Sequence, residues 1–143
     1  EKIAESGTIF DACISTATLE HFPLKDLEST FKNLKKIIKR DGIISATIDY
    51  SDHYSHTDEK IGPLNFLQYS QKKWKRYNTP YLFQNRLRHQ DFREFFLKMN
   101  YQIVEEKQGP IGTSPKKVSN EFDVDNKETY ILWGQFLLKN SIR

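Results

Sequence analysis

Two polar clusters follow apolar runs in this chain. Glu20 and His21 come directly after "FDACISTATL", and Asp49, Asp52, His53 and His56 come directly after "IISATI". Histidine titrates near neutrality, so His21 or His53 could take a proton from a reacting hydroxyl or amine. His53 and Asp49 together have the composition of a base and its orienting partner. His and Asp are also metal-ligand types. No zinc-type spacing is present, however, and the single cysteine, Cys13, lies elsewhere, so no metal is expected. Plainer readings stand beside these. Glu20 and His21 also fit a brace at the start of a helix, and "DYSDHYSH" also fits a polar loop closed by local Asp and Ser turns.

Both clusters need elements to position them. "TIFDACIS", Thr8 to Ser15, is short, apolar and β-favouring, and reads as a strand buried on both faces. In "LKDLESTFKNLKKIIKR", Leu24, Leu27, Phe31, Leu34, Ile37 and Ile38 recur at helical spacing on one face. Asp26 and Glu28 lie early in that run, and Lys35, Lys36, Lys39 and Arg40 lie late, the order a helix dipole favours. Asp41-Gly42 is expected to stop the helix, with Gly42 in a left-handed conformation. "IISATID", Ile43 to Asp49, is a second buried strand. Strand, helix and strand joined by short turns make a right-handed βαβ unit with parallel strands.

Residues 50–88 read as an aromatic-rich insert or lid, with Pro63 and Pro80 interrupting it and a short helix around Asn65 to Trp74. Tyr50, Tyr54, Tyr69, Trp74, Tyr77 and Tyr81 either stack on a sugar or base or give the lid a small core. "QKKWKRY" interleaves basic and aromatic residues as single-strand binders do. A net charge of +3 with one short basic cluster is no nucleic-acid footprint, so nucleic acid is not an expected partner. Asn85, Arg86 and Arg88 suit an anionic acceptor, although a solvated segment ahead of the next helix is the favoured reading. "HQDFREFFLKMN" places Phe92, Phe95, Phe96 and Met99 on one helical face, with Asn100 as its cap. "YQIVEE" is a strand, residues 107–128 are expected to form a mobile loop, and "TYILWGQFLLK" closes the order as a long strand.

A length of 143 residues suits one domain with one core. One cysteine excludes an internal disulfide, so a disulfide-stapled secreted domain is ruled out and a reducing cytoplasm is expected. No apolar run approaches the roughly 18 residues of a membrane helix, and no signal peptide is expected.

In this order the motifs resemble the second half of a class I S-adenosylmethionine-dependent methyltransferase. "FDACISTATLEHF" is similar to that family's fourth strand, with its FD start and a following Leu-Glu-His. Ile38-Lys39-Arg40-Asp41-Gly42 is similar to the turn before the fifth strand, with Asp in place of the first glycine. Asp49, Asp52-His53, Asn65-Phe66-Leu67 and Asn85-Arg86-Leu87-Arg88 are similar to a bacterial subgroup often linked to surface-polysaccharide modification. The resemblance covers nearly the whole chain. It implies an α/β fold that is the C-terminal half of a doubly wound, Rossmann-like sheet, with strand order 4-5-7-6 and the last strand antiparallel. It also implies S-adenosylmethionine as cofactor, lined by Ser15, Thr16, Ala17 and Leu19. A small-molecule or saccharide-linked acceptor would then meet His53, His21 and Asp49.

The family's glycine-rich loop and acidic strand end, which hold most of the cofactor, have no counterpart here. The chain alone is therefore expected to be inactive. "TIFDACIS", central in the family's sheet, is expected to be an exposed edge that pairs with a missing N-terminal half or a second copy. The competing class is a non-catalytic dimerisation or partner-binding half-domain.

Overall fold

The computed structural model describes residues 2–5 and 7–140. Strands β1 (Phe10–Thr16), β2 (Ile38–Asp49), β3 (Tyr101–Gln108) and β4 (Trp133–Asn140) form one mixed sheet in the order β1-β2-β4-β3. β1 and β2 run parallel, and β4 is antiparallel to both β2 and β3. Helices α1 (Lys2–Glu5), α2 (Leu24–Ile37), α3 (Gln71–Trp74) and α4 (His89–Lys98) accompany them, with 3-10 turns at Leu19–His21, His53–His56, Asn65–Gln68 and Lys127–Tyr130. The main core joins Leu27 and Phe31 of α2 and Phe92, Phe95 and Phe96 of α4 to Ile44, Ala46, Ile48, Phe136 and Leu138 of the sheet. Partly buried Cys13 packs against this core.

Among the described residues only one sheet face is covered in this way, and that overturns the expectation of strands buried on both faces. β2 alternates buried Ile44, Ala46 and Ile48 with half-buried Ile43, Ser45 and Thr47. β1 is largely exposed, with Ile14 at 78%, because it is the sheet edge as well as open on one face. Such an edge presents unpaired ladder groups and apolar side chains to any strand that can reach it.

Two boundaries also move. α2 ends at Ile37, the Ile38 N–H closes on Leu34 O, and β2 starts at once. Gly42 therefore lies inside β2 and not in a left-handed turn. It is needed there for closeness: a Cβ would stand 2.8 Å from Asp11 O and 2.7 Å from Ile38 Cγ2. The register jumps from Phe10↔Ile38 to Ala12↔Ile43, so the extra residues of β2 bulge beside β1. At the other end, Thr129 and Tyr130 belong to a 3-10 turn and the last strand begins at Trp133. Asn100 does cap α4, with a φ of 56° and its N–H on Leu97 O.

The segment 50–88 has its own small core of Leu64, Phe66, Leu67 and Trp74, against which Val118 and Phe122 pack. Lys107 and Gln108 are part of β3, and the Ser119 N–H donates to Leu67 O. Trp74 is buried, so "QKKWKRY" has lost the central ring that a stacked base would need.

Arg86 and Arg88 contradict both sequence readings, since they are buried and their guanidinium ends are committed to partners within the fold. Arg86 Nη1 donates to Phe66 O and Tyr69 O, and Nη2 to Gln71 Oε1. Arg88 donates to Thr129 O, Tyr50 O and Ile131 O. Neither guanidinium is solvated or free for an anionic acceptor. Asn85 Nδ2 donates to Leu19 O and Phe22 O, and its N–H to Glu20 O, tying this segment to the turn after β1.

Under the sheet, Arg93 forks between Glu106 and Glu128, while His89 Nε2 lies 2.7 Å from Glu106 Oε1. The Arg93 hydrogen bonds hold both carboxyls below the usual carboxylate range. Burial lowers the His89 pKa, against the pull of Glu106. All three folded-state pKa values are depressed, so each group stabilises the fold above its unfolded pKa and loses that contribution as pH falls. On acidification these groups should give up their stabilisation in two stages. The first begins below about 6.5 and carries His89, partly offset by His53, whose raised pKa works in the opposite sense, and the second begins below about 4.3 and carries the glutamates. Thermal unfolding from pH 8 to pH 3 checks this, and Glu128→Gln should weaken the second stage.

Candidate active site

The two polar clusters meet at the carboxyl ends of the parallel strands β1 and β2, where open α/β sheets bind ligands. β1 pairs with β2 up to Thr16↔Thr47, and the Ala17 N–H adds one more bond to Thr47 O. Ala17 then takes a φ of 46°, a left-handed conformation that costs a residue with a Cβ about 1–2 kcal/mol. This reverses the chain sharply, and Thr18 Oγ1 donates back to Thr16 O. The 3-10 turn Leu19–His21 follows. Leu19 is buried in the main core and fixes the turn, so that Glu20 is carried inside as well.

The sites named from sequence divide accordingly. Thr16 and Ala17 are exposed at the strand end, and Ser15 Oγ is buried without a hydrogen-bond partner among the described residues. Thr16 and Ala17 are therefore open to solvent there and Ser15 Oγ is not, whereas Leu19 faces the core and holds the turn. His21 and His53 come together, with ring centroids 4.9 Å apart, and His53 stacks on His56 at 5.0 Å. Asp49 Oδ2 lies 3.5 Å from His53 Nε2 and 3.7 Å from His56 Nε2. Its Oδ1 accepts from the Ser51 N–H, and Ser51 Oγ meets His56 Nε2 at 3.0 Å. The His53–Asp49 contact is an ion-pair distance without an aligned hydrogen bond. Asp52 stands apart: its oxygens accept from Tyr54 N and Asn65 Nδ2, so it caps the His53–His56 turn.

Charge follows the geometry. The Asp49 carboxylate raises the His53 pKa against burial, with Glu20 and Asp52 adding to it. Burial raises Asp49, but the His53 and Ser51 contacts outweigh it and hold that carboxyl low. Burial pushes the Glu20 carboxyl up. A cavity of about 160 Å³ opens beside the histidines, walled by Tyr54, Trp74, Tyr81 and Gln84. Ligand pockets are typically about 300–1,000 Å³, so this one suits part of a ligand. The arrangement can accept a proton at His53 or His21, or hold a cation between them.

Sequence reasoning gave Glu20 only a bracing role and missed Gln84. Gln84 Nε2 donates to Ser51 O, and its Oε1 faces the His53 N–H. Nothing local in "LFQNRL" announces that long-range contact.

A parallel βαβ unit, an antiparallel strand set between β2 and β3, and a polar cluster at the parallel carboxyl ends define a class I methyltransferase-like fold. An S-adenosylmethionine-dependent methyltransferase from Clostridium acetobutylicum is similar to it, with a TM-score of 0.54 and 12% identity over 94% of this chain and 60% of that one. The magnesium protoporphyrin IX methyltransferase ChlM of Synechocystis, solved with bound SAH, is also similar, with a TM-score of 0.50 and 11% identity over 99% of this chain and 49% of that one. At such identities the likeness is one of fold. The chain spans about half to three fifths of the length of these solved structures. No protein-family model matches the chain, and no curated protein does.

Proposed function

We propose that this chain is the C-terminal half of a methyltransferase domain that moves a methyl group from S-adenosylmethionine to a small-molecule or saccharide-linked acceptor. In this reading β1, β2, β4 and β3 are strands four, five, seven and six of a longer sheet. The observation that carries it is the bare β1 edge, with the polar cluster at its carboxyl end. A strand from a preceding half would pair there and bring a glycine-rich loop over Thr16 and Ala17.

Ser15, Thr16 and Ala17 would hold the near side of the cofactor, with Thr16 and Ala17 exposed at the strand end. The cofactor supplies an electrophilic methyl on a sulfonium. Transfer would rest mainly on positioning two reactants in one cleft. His53, oriented by Asp49, and His21 would act on the acceptor's proton or oxygen, under the lid formed by residues 50–88. No helix of the described residues is long and apolar enough to cross a membrane, and the lone Cys13 suits a reducing cytoplasm. A purely docking role for β1 leaves the buried Glu20, and the exposed His21 and half-buried His53 beside it, without a use.

Calorimetric titration with S-adenosylmethionine tests the reading. The isolated chain should bind weakly or not at all, and a longer protein that includes the preceding half should bind in the micromolar range. Tight binding by the chain alone, or none by the longer protein, would overturn it.

A further inference from the structure

We infer that Glu20, His21 and His53 form a site for one divalent transition-metal cation, of the zinc or manganese class, on the floor of the acceptor cavity. One donor atom from each of the three residues lies within 4.8 Å of the other two. Glu20 is 2% exposed, and neither of its oxygens has a hydrogen-bond partner among the described residues. A carboxylate so placed is costly unless a cation or a donor meets it. His53 Nε2 is likewise buried without a hydrogen bond, its charged neighbour Asp49 Oδ2 standing 3.5 Å away.

The surroundings suit ligation. His21 Nδ1 stands 2.9 Å from Phe83 O, a contact that requires the proton on Nδ1 and leaves a lone pair on Nε2. Ligating histidines are commonly fixed by such a carbonyl. Ligands about 2.1 Å from zinc sit about 3.4 Å from one another, so donor atoms up to 4.8 Å apart must close by up to about 1.4 Å through side-chain rotation. Two imidazoles and one carboxylate leave coordination positions open. The cavity of about 160 Å³ that His21 and His53 line gives those positions room for a hydroxyl-bearing ligand. A cation there would lower the pKa of a bound hydroxyl. That use rests on the methyl-transfer reading, whereas occupancy of the site does not.

The test uses the full-length protein, stripped with chelator and titrated calorimetrically with zinc chloride and separately with manganese chloride, without S-adenosylmethionine. One ion should bind per chain, and the melting temperature should rise with it. Glu20→Gln and His53→Ala should each weaken binding at least tenfold. Glutamine removes a buried charge, so ion-free Glu20→Gln should melt no lower than ion-free wild type, and binding by His53→Ala gives a second reading. Cobalt should give visible d–d absorption that disappears in His53→Ala. Absence of stoichiometric binding, or equal binding by both variants and wild type, overturns the site. Ion binding without cofactor binding would defeat the methyl-transfer reading alone, and the reverse would defeat the ion site alone.

Discussion

Arg88→Met is expected to lower the free energy of unfolding by about 3–5 kcal/mol, since it strips several charge-assisted hydrogen bonds from buried carbonyls. Arg88 is 4% exposed, and its guanidinium bonds Tyr50 O, just after β2, and Thr129 O and Ile131 O, just before β4. It also lies over the Tyr50 and Phe66 rings, at 5.3 and 5.5 Å. Burial lowers its pKa to about 10, which leaves it charged at neutrality. Methionine keeps much of the volume and none of the donors. Denaturant titration should show a lower midpoint with an unchanged slope. Arg88→Lys should recover only part of the loss, because an ammonium cannot fork to three separated carbonyls. A loss under about 1 kcal/mol would mean that those carbonyls find other partners.

His53→Ala should lower kcat by about 10²–10⁴ in a protein that carries both halves of the domain, the range expected when an acid–base or charge-stabilising group is removed. Affinity for S-adenosylmethionine should stay the same, because His53 sits after β2 and the proposed cofactor side, Ser15–Ala17, lies at the end of β1. His56→Ala should cost less than about tenfold by the same scale. Its side chain is 54% exposed and already meets Ser51 Oγ. Single-turnover kinetics with both variants separates the two. Equal losses in kcat, or a loss confined to KM, would reduce the cluster to a polar loop that shapes the pocket.

The elements were legible where local pattern decides them. The apolar spacing of Leu27, Phe31 and Leu34 and of Phe92, Phe95 and Phe96 gave α2 and α4, and the short apolar runs gave β1 and β2. Burial on both faces of those strands was not legible, because it depends on what covers the sheet. Gly42 read as a turn residue because close approach of Asp11 O is a contact between strands, which local sequence does not carry. Arg86 and Arg88 read as solvated because charge is a local cue, while the carbonyls that satisfy them lie up to 43 residues away. The pairing of His21 with His53 followed only from the parallel strands that end beside them. No ligand spacing could announce Glu20, His21 and His53 as a group, since the first two and the third come from different strand ends.

The Asn85 tie has a thermodynamic consequence. Its side chain and backbone hold Leu19 O, Phe22 O and Glu20 O, so the segment bordering the lid and the turn that carries Glu20 and His21 are fastened together. If the lid lifts as one piece, that turn loosens with it. Occupancy of the cavity beside His21 and His53 and order at the carboxyl end of β1 then belong to one equilibrium. A ligand that closes either should tighten binding at the other by the same factor, as linkage requires.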